Sequence, residues 1–217
     1  TDNLTDSGLL AYAYSIDGSD YVSGHEVTIS DQGVHTVSVR VRDAAGLTST
    51  IVTKTVKVDY TAPTRPIYSA TADGSTYTEA TWSRDPVTVT LSGSTDSGGS
   101  TFSNYAYKIN DGAWQTGNRV TISDTGKYTI TCSAVDIAGN RSTLVTKEIW
   151  VDTSVPTTPS VETSSDFVDD EWIACPVTLT ASGSSDDYSS GASLIYSYSI
   201  NGEDFVTGNQ VTIADNG

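Results

Sequence analysis

Residues 120–152 read VTISDTGKYTITCSAVDIAGNRSTLVTKEIWVD, and the rest of the chain repeats or completes this stretch. It reads as three β-strands joined by two tight connections. The same text stands 93 residues earlier, at 27–59, as VTISDQGVHTVSVRVRDAAGLTSTIVTKTVKVD. It begins a third time at Val211 as VTIADNG, 91 residues further on. Self-similarity at a fixed spacing marks an array of like modules. Within the repeat Val37, Val39 and Val41 alternate with Thr36, Ser38, Arg40 and Arg42. A period of two with one apolar face means a sheet packed on one side only.

A spacing of about 92 residues suits one compact domain. Residues 61–152 then form a complete module. Residues 1–60 match the C-terminal part of a module and 153–217 the N-terminal part, as expected of a piece of a longer protein. The junctions are Val58-Asp59-Tyr60-Thr61-Ala62-Pro63 and Val151-Asp152-Thr153-Ser154-Val155-Pro156, followed by Pro66 and Pro159. Each proline fixes φ and biases its predecessor to extended geometry, so these short linkers are expected to be semi-rigid.

Strand text alternates with turn signals throughout, and no helical period occurs. Asp17-Gly18 and Asn110-Asp111-Gly112 are hairpin turns that need positive φ. Strands are expected at 11–16, 27–30 (VTIS), 34–42, 49–58, 67–70, 76–82, 87–91 and 104–109, and again in the repeated block. The reading is all-β: tandem immunoglobulin-like antiparallel β-sandwiches, one complete module flanked by two partial ones. The aromatic after each hairpin is Tyr21, Trp114 or Phe205; its size persists while its polar handle varies, which points to core filling. Trp82 and Trp172 precede a core strand and are expected to cap the sandwich end.

The net charge of −16 disfavours a nucleic-acid or anionic-membrane partner held through a basic face. No apolar run approaches the ~20 residues of a membrane-spanning helix. Cys132 takes the place of Val39 in an alternating strand and reads as a small buried hydrophobe. Cys175 falls in a different module, so the two cysteines do not form a disulfide framework.

At Asp136, Ala138, Gly139, Asn140 and Ser142 (DxAG-N-x-S), and at the hairpin Tyr107, Ile109, Asn110, Gly112 and Trp114, the module resembles the bacterial Ig-like repeats of large secreted and cell-surface proteins, including adhesins. The resemblance spans essentially the whole chain. It implies an extracellular, bacterial cell-surface location and a role as stalk or spacer, with calcium bound at module junctions in some giant adhesins. The first copy departs from the pattern, with Leu47 and Thr48 where the second has Asn140 and Arg141.

Catalytic chemistry finds no support in the text. His25 and His35 are replaced by Asn118 and Tyr128 one copy on, and no nucleophile, metalloprotease or phosphate-loop motif is present. The carboxylates of Asp169-Asp170-Glu171 and Asp186-Asp187 are sequence neighbours, and such side chains diverge on an extended chain. The oxygen-rich turns suit Ca2+. Asp59 and Asp152 end closing strands, and Asp43 and Asp136 open the DxAG turn; these four are the candidate ligands, joined by loop residue Asp96 or Asp186-Asp187 if the loops share a pole. The competing reading is an ordinary turn, in which aspartate accepts backbone N–H bonds.

The functional expectation is a non-catalytic stalk segment whose partners are neighbouring modules of the same chain, with other copies or a host ligand engaged through distal domains. Two alternatives stand beside it. One is a filament subunit assembled by strand complementation between incomplete modules. The other is a glycan- or protein-binding module using Tyr105, Tyr107, Tyr196 and Tyr198, should those rings face solvent.

Overall fold

The computed structural model describes residues 10–164, 167–188 and 194–214. The strands in chain order are β1 (Ala11–Ile16), β2 (Val22–Ser23), β3 (Gly33–Arg42), β4 (Val52–Val58), β5 (Ile67–Ala72), β6 (Ser75–Thr76), β7 (Trp82–Ser83), β8 (Val87–Ser92) and β9 (Phe102–Ile109). They continue as β10 (Gln115–Thr116), β11 (Arg119–Ile122), β12 (Gly126–Asp136), β13 (Val145–Val151), β14 (Ser160–Thr163), β15 (Val177–Ser182), β16 (Ser197–Tyr198), β17 (Val206–Thr207) and β18 (Gln210–Ile213). Among the described residues there is no helix, and hence none long and apolar enough to cross a membrane.

Residues 61–152 build two sheets, ordered β11-β8-β5-β6 and β10-β9-β12-β13-β7. All their pairings are antiparallel except β13 with β7. The two sheets share one core. Ala70, Val87, Val89, Leu91 and Ile122 from the first meet Tyr107, Ile130, Cys132, Val145, Ile149 and Val151 from the second. Strand alternation puts these residues on one face of each sheet, and each large aliphatic buried there contributes about 1.5–3 kcal/mol. Tyr107 belongs to this core and Tyr105 packs against it, so that pair forms no solvent-facing aromatic stripe. Residues before 61 form one sheet, β2-β1-β3-β4; those after 152 form β14-β15-β18 and the pair β16-β17.

The hairpin turns are as read: Asp17 (φ 52°) and Gly18 (φ 77°) adopt the left-handed region, as does Asn110 (φ 52°). Four expectations need correction. The VTI of this segment lies in a strand at 119–122, paired with β8, and its counterpart lies in a strand at 210–213, paired with β15, but 27–30 is not a strand. Among the described residues no strand pairs with it, and an extended segment becomes a strand only through a ladder. The segment expected to be one strand at 76–82 is broken into β6 and β7 by a turn with Ala80 at φ 56°. Glu79 in that turn accepts from Lys147 Nζ at 2.6 Å, and Lys147 lies beside Ile130 on β12 at the margin of the core.

The aromatics after the hairpins are not core. Trp114 is 39 % exposed with the Arg141 guanidinium 4.1 Å over its ring, and Phe205 is 75 % exposed. Tyr21 carries Arg40 at 3.8 Å in the same manner. A planar cation stacks on an aromatic face at the surface, which gives Tyr21 and Trp114 a partner there without full burial. Trp172 is almost fully exposed and caps nothing, whereas Trp82 lies 5.5 Å from Trp150 and 4.8 Å from Tyr188.

Candidate metal centre at the first junction

β4 ends at Val58, and Asp59 is the next residue. Its side chain folds back on its own chain, with Oδ1 accepting from Thr61 N at 2.9 Å. Oδ2 accepts from Ser100 N at 2.7 Å, in the acidic-glycine loop between β8 and β9. β12 ends at Asp136, which is buried. Both its oxygens are filled by Asn140, from the backbone N–H at 2.8 Å and the side-chain amide at 2.8 Å. Asp96 Oδ1 accepts from Gly98 N at 3.1 Å, and Ser100 Oγ lies 3.4 Å from Asp96 Oδ2.

These three segments converge. One carboxylate oxygen from each of Asp59, Asp96 and Asp136 lies within 4.8 Å of the others. Two of the four expected ligands, Asp59 and Asp136, are thus brought together, and Asp96 joins them from the loop. The other two stand apart. Asp43 accepts from Leu47 N at 2.7 Å, and Leu47 has no amide to bridge onward as Asn140 does. Asp152 accepts from Ser154 N at 3.1 Å and Ser154 Oγ at 2.5 Å, closing a local turn.

None of the three clustered carboxylates forms a salt bridge among the described residues. Their charge is balanced by N–H and O–H donors: Thr61 and Ser100 at Asp59, Gly98 and Ser100 at Asp96, and Asn140 at Asp136. The Asn140 side-chain amide also reaches the Asp59 carbonyl at 2.9 Å and the Thr61 carbonyl at 3.4 Å. Bonds from Ser100 first, and then from the Thr61 backbone, hold the Asp59 carboxyl below its ordinary value of 3.8. Hard cations take six or more oxygens, and carboxylates, turn carbonyls and hydroxyls are the right kind. The donor set therefore fits Ca2+, with Asp59, Asp96 and Asp136 as the residues that would hold it.

Around this cluster the junction is tied on both sides. The Gln32 side chain, in the loop before β3, accepts from Tyr60 N at 3.3 Å and exchanges bonds with Thr61 Oγ1. On the far side Thr64 N donates to the Thr95 carbonyl at 2.8 Å, and Thr95 N returns to Thr64 Oγ1 at 2.8 Å. The second junction repeats both ties. Thr125 Oγ1 accepts from Thr153 N at 3.0 Å, Thr157 N donates to Ser185 O at 2.8 Å, and Ser185 N donates to Thr157 Oγ1 at 2.8 Å.

Sequence reasoning missed Gln32, Thr125, Thr64 and Thr157. The one signal available was position: Gln32 and Thr125 each follow the aspartate that closes the VTIS segment.

The two junctions differ in the loop that follows β8 in one module and β15 in the next. Gly98 lets the acidic loop close on Asp59, since a Cβ there would lie 2.6 Å from Asp59 Oδ1 and 2.7 Å from Thr61 Cβ. Counted from the shared Ser-Gly of the two loops (Ser92 and Ser182), its counterpart is Tyr188, whose ring instead packs on Trp82. Beside it Lys127 Nζ stands 3.9 Å over the Trp150 ring. One junction is polar and acidic, the other aromatic and cationic.

No family model matches this chain, and no curated protein matches it.

Proposed function

We propose that the chain is a non-catalytic stalk segment of an extracellular bacterial surface protein, built from tandem Ig-like modules. Its work is geometric: it holds successive β-sandwiches in a fixed order and limits bending between them. The observation that carries this reading is the pair of repeated junction ties, Gln32–Tyr60 with Thr64–Thr95 and Thr125–Thr153 with Thr157–Ser185. A free linker needs no such bonds, whereas a spacer of defined reach does. Proline at 63, 66, 156 and 159 adds stiffness between the ties. At the first junction the Asp59–Asp96–Asp136 cluster would take Ca2+ and add ligand bonds between the end of β4 and two loops of the next module.

Small-angle scattering on the 217-residue chain tests the reading. A rod-like distance distribution, unchanged by moderate salt, is the expected result. A distribution characteristic of independently tumbling bodies would remove the stalk proposal.

A further inference from the structure

His35 lies on β3, and its imidazole reaches in two directions. Nδ1 is 2.8 Å from Asp17 Oδ2 in the turn between β1 and β2. Nε2 is 2.9 Å from the Asp31 carbonyl oxygen in the loop before β3. A carbonyl and a carboxylate both only accept, so both ring nitrogens must carry hydrogen for the two bonds to coexist. Only the imidazolium does so. The neutral ring has one N–H and one lone pair, and it can keep only one partner.

The charges acting on the ring are both acidic, Asp17 and Asp31, and the residue directly opposite on β4 is Val56. The side chain is 14 % exposed. The bond to Asp17, which comes first, and the bond to Asp31 raise its pKa above the ordinary 6.5.

Asp31 immediately precedes Gln32, the residue that ties the loop to Tyr60 and Thr61. The second copy supplies the comparison. There Asn110 Oδ1 accepts from Thr129 N at 2.9 Å, as Asp17 Oδ1 accepts from Thr36 N at 2.7 Å, so that contact belongs to the repeat. Tyr128 stands in the place of His35, and the junction tie through Thr125 is made without any imidazole.

We propose that His35 is a proton-operated latch on the first junction. Protonated, it fixes the Asp31 carbonyl and seats Gln32 against Tyr60 and Thr61. Neutral, it keeps the stronger acceptor, Asp17, and releases Asp31, so the Gln32 tie loosens. The second junction has no such control. Stiffness along the stalk then responds to pH at one joint and not at the other, a consequence that rests on the stalk reading although the latch itself does not.

The test is an NMR titration of the native chain from about pH 5 to about pH 8.5, a window that brackets the ordinary imidazole range, following the His35 ring and the Tyr60, Thr61 and Thr153 amides. His35 is expected to titrate above 6.5, with Tyr60 and Thr61 sharing its midpoint. Tyr60 amide protection should fall about fivefold across it, the loss of one net hydrogen bond. Thr153 should stay flat.

His35→Gln should abolish the Tyr60 inflection and His25→Asn should leave it. If His35→Gln does not fold, the native titration decides alone. A flat Tyr60, a Thr153 that moves in step with it, or a His35 midpoint at or below 6.5 overturns the latch. Scattering at both ends of the titration separates the two proposals. Independent bodies at every pH overturn the stalk, whereas a rod with a silent Tyr60 overturns only the latch.

Discussion

The side-chain amide of Asn140 donates to the backbone carbonyl of Asp59, 81 residues earlier in the chain, at 2.9 Å. The same amide donates to Asp136 Oδ2 at 2.8 Å. One residue thus joins the exit of β4 to the turn that follows β12. Asn140→Ala removes these donors and leaves the buried Asp136 with its backbone partner alone. Hydrogen bonds to charged groups contribute about 1.5–3 kcal/mol, so a loss of that order is expected. Thermal melts of native and variant chains would show it as a lowered first transition. A variant that melts with the native chain would mean that Asn140 does not hold the junction.

Gly98 is required by close approach. Gly98→Ala should push the acidic loop off Asp59 and cost about 1–3 kcal/mol, as overpacking does. The neighbouring Gly99 sits against the same strand exit, where a Cβ would lie 3.4 Å from the Val58 carbonyl oxygen, so the loop has little slack. The Ser100 amide, protected by Asp59 in the native chain, should exchange faster in the variant. Unchanged exchange at Ser100 would show that the loop absorbs a methyl without moving.

Calcium should raise the melting temperature of the native chain, and Asp136→Ala should abolish that rise. A ligand that binds only the folded state stabilises it in proportion to the logarithm of its concentration over Kd. Calorimetry with calcium and with chelator reads this directly. Equal melts would mean that the three carboxylates are turn residues held by N–H donors alone.

Acid should weaken the same junction. The Asp59 pKa is lowered in the fold, chiefly by Ser100 and then by Thr61. A depressed folded value means the stabilisation is present above the unfolded value of 3.8 and is lost as pH falls through the lower folded value. Melts from about pH 5 downward should show that loss in the native chain and a shallower one in Asp59→Asn. Parallel acid profiles for the two chains would assign the loss to other carboxylates.

Cys132 is wholly buried, and burial pushes its thiol up to about 11. Cys175 is exposed. At about pH 8 an alkylating reagent should modify Cys175 and spare Cys132 until the chain unfolds, because the thiolate is the reactive form. Mass spectrometry of the peptides would settle it, and rapid labelling of Cys132 in the folded chain would contradict the core described here.

The core was legible in the alternation: Val87, Val89 and Leu91 on one strand and Ile130, Cys132 and Ala134 on another read inward from period two, and they are buried. The hairpin aromatics were not, because a sequence shows a persistent large ring but not the arginine that covers it. Arg40 reaches Tyr21 from β3, and Arg141 reaches Trp114 from beyond β12, so no shared spacing reveals the pairing.

The sequence by itself determined the β character, the turns and the repeat, because these follow from local φ preferences and a two-residue side-chain period. Tertiary structure alone decided which copies of VTIS become strands, since a ladder needs a neighbour that the segment does not contain. It also decided which aspartates meet. Asp43, Asp59, Asp136 and Asp152 look alike in the text, but only Asp59 and Asp136 share a site, with Asp96. The reason is distance along the chain. Groups separated by tens of residues come within a few ångströms only when packed sheets bring their loops to the same end.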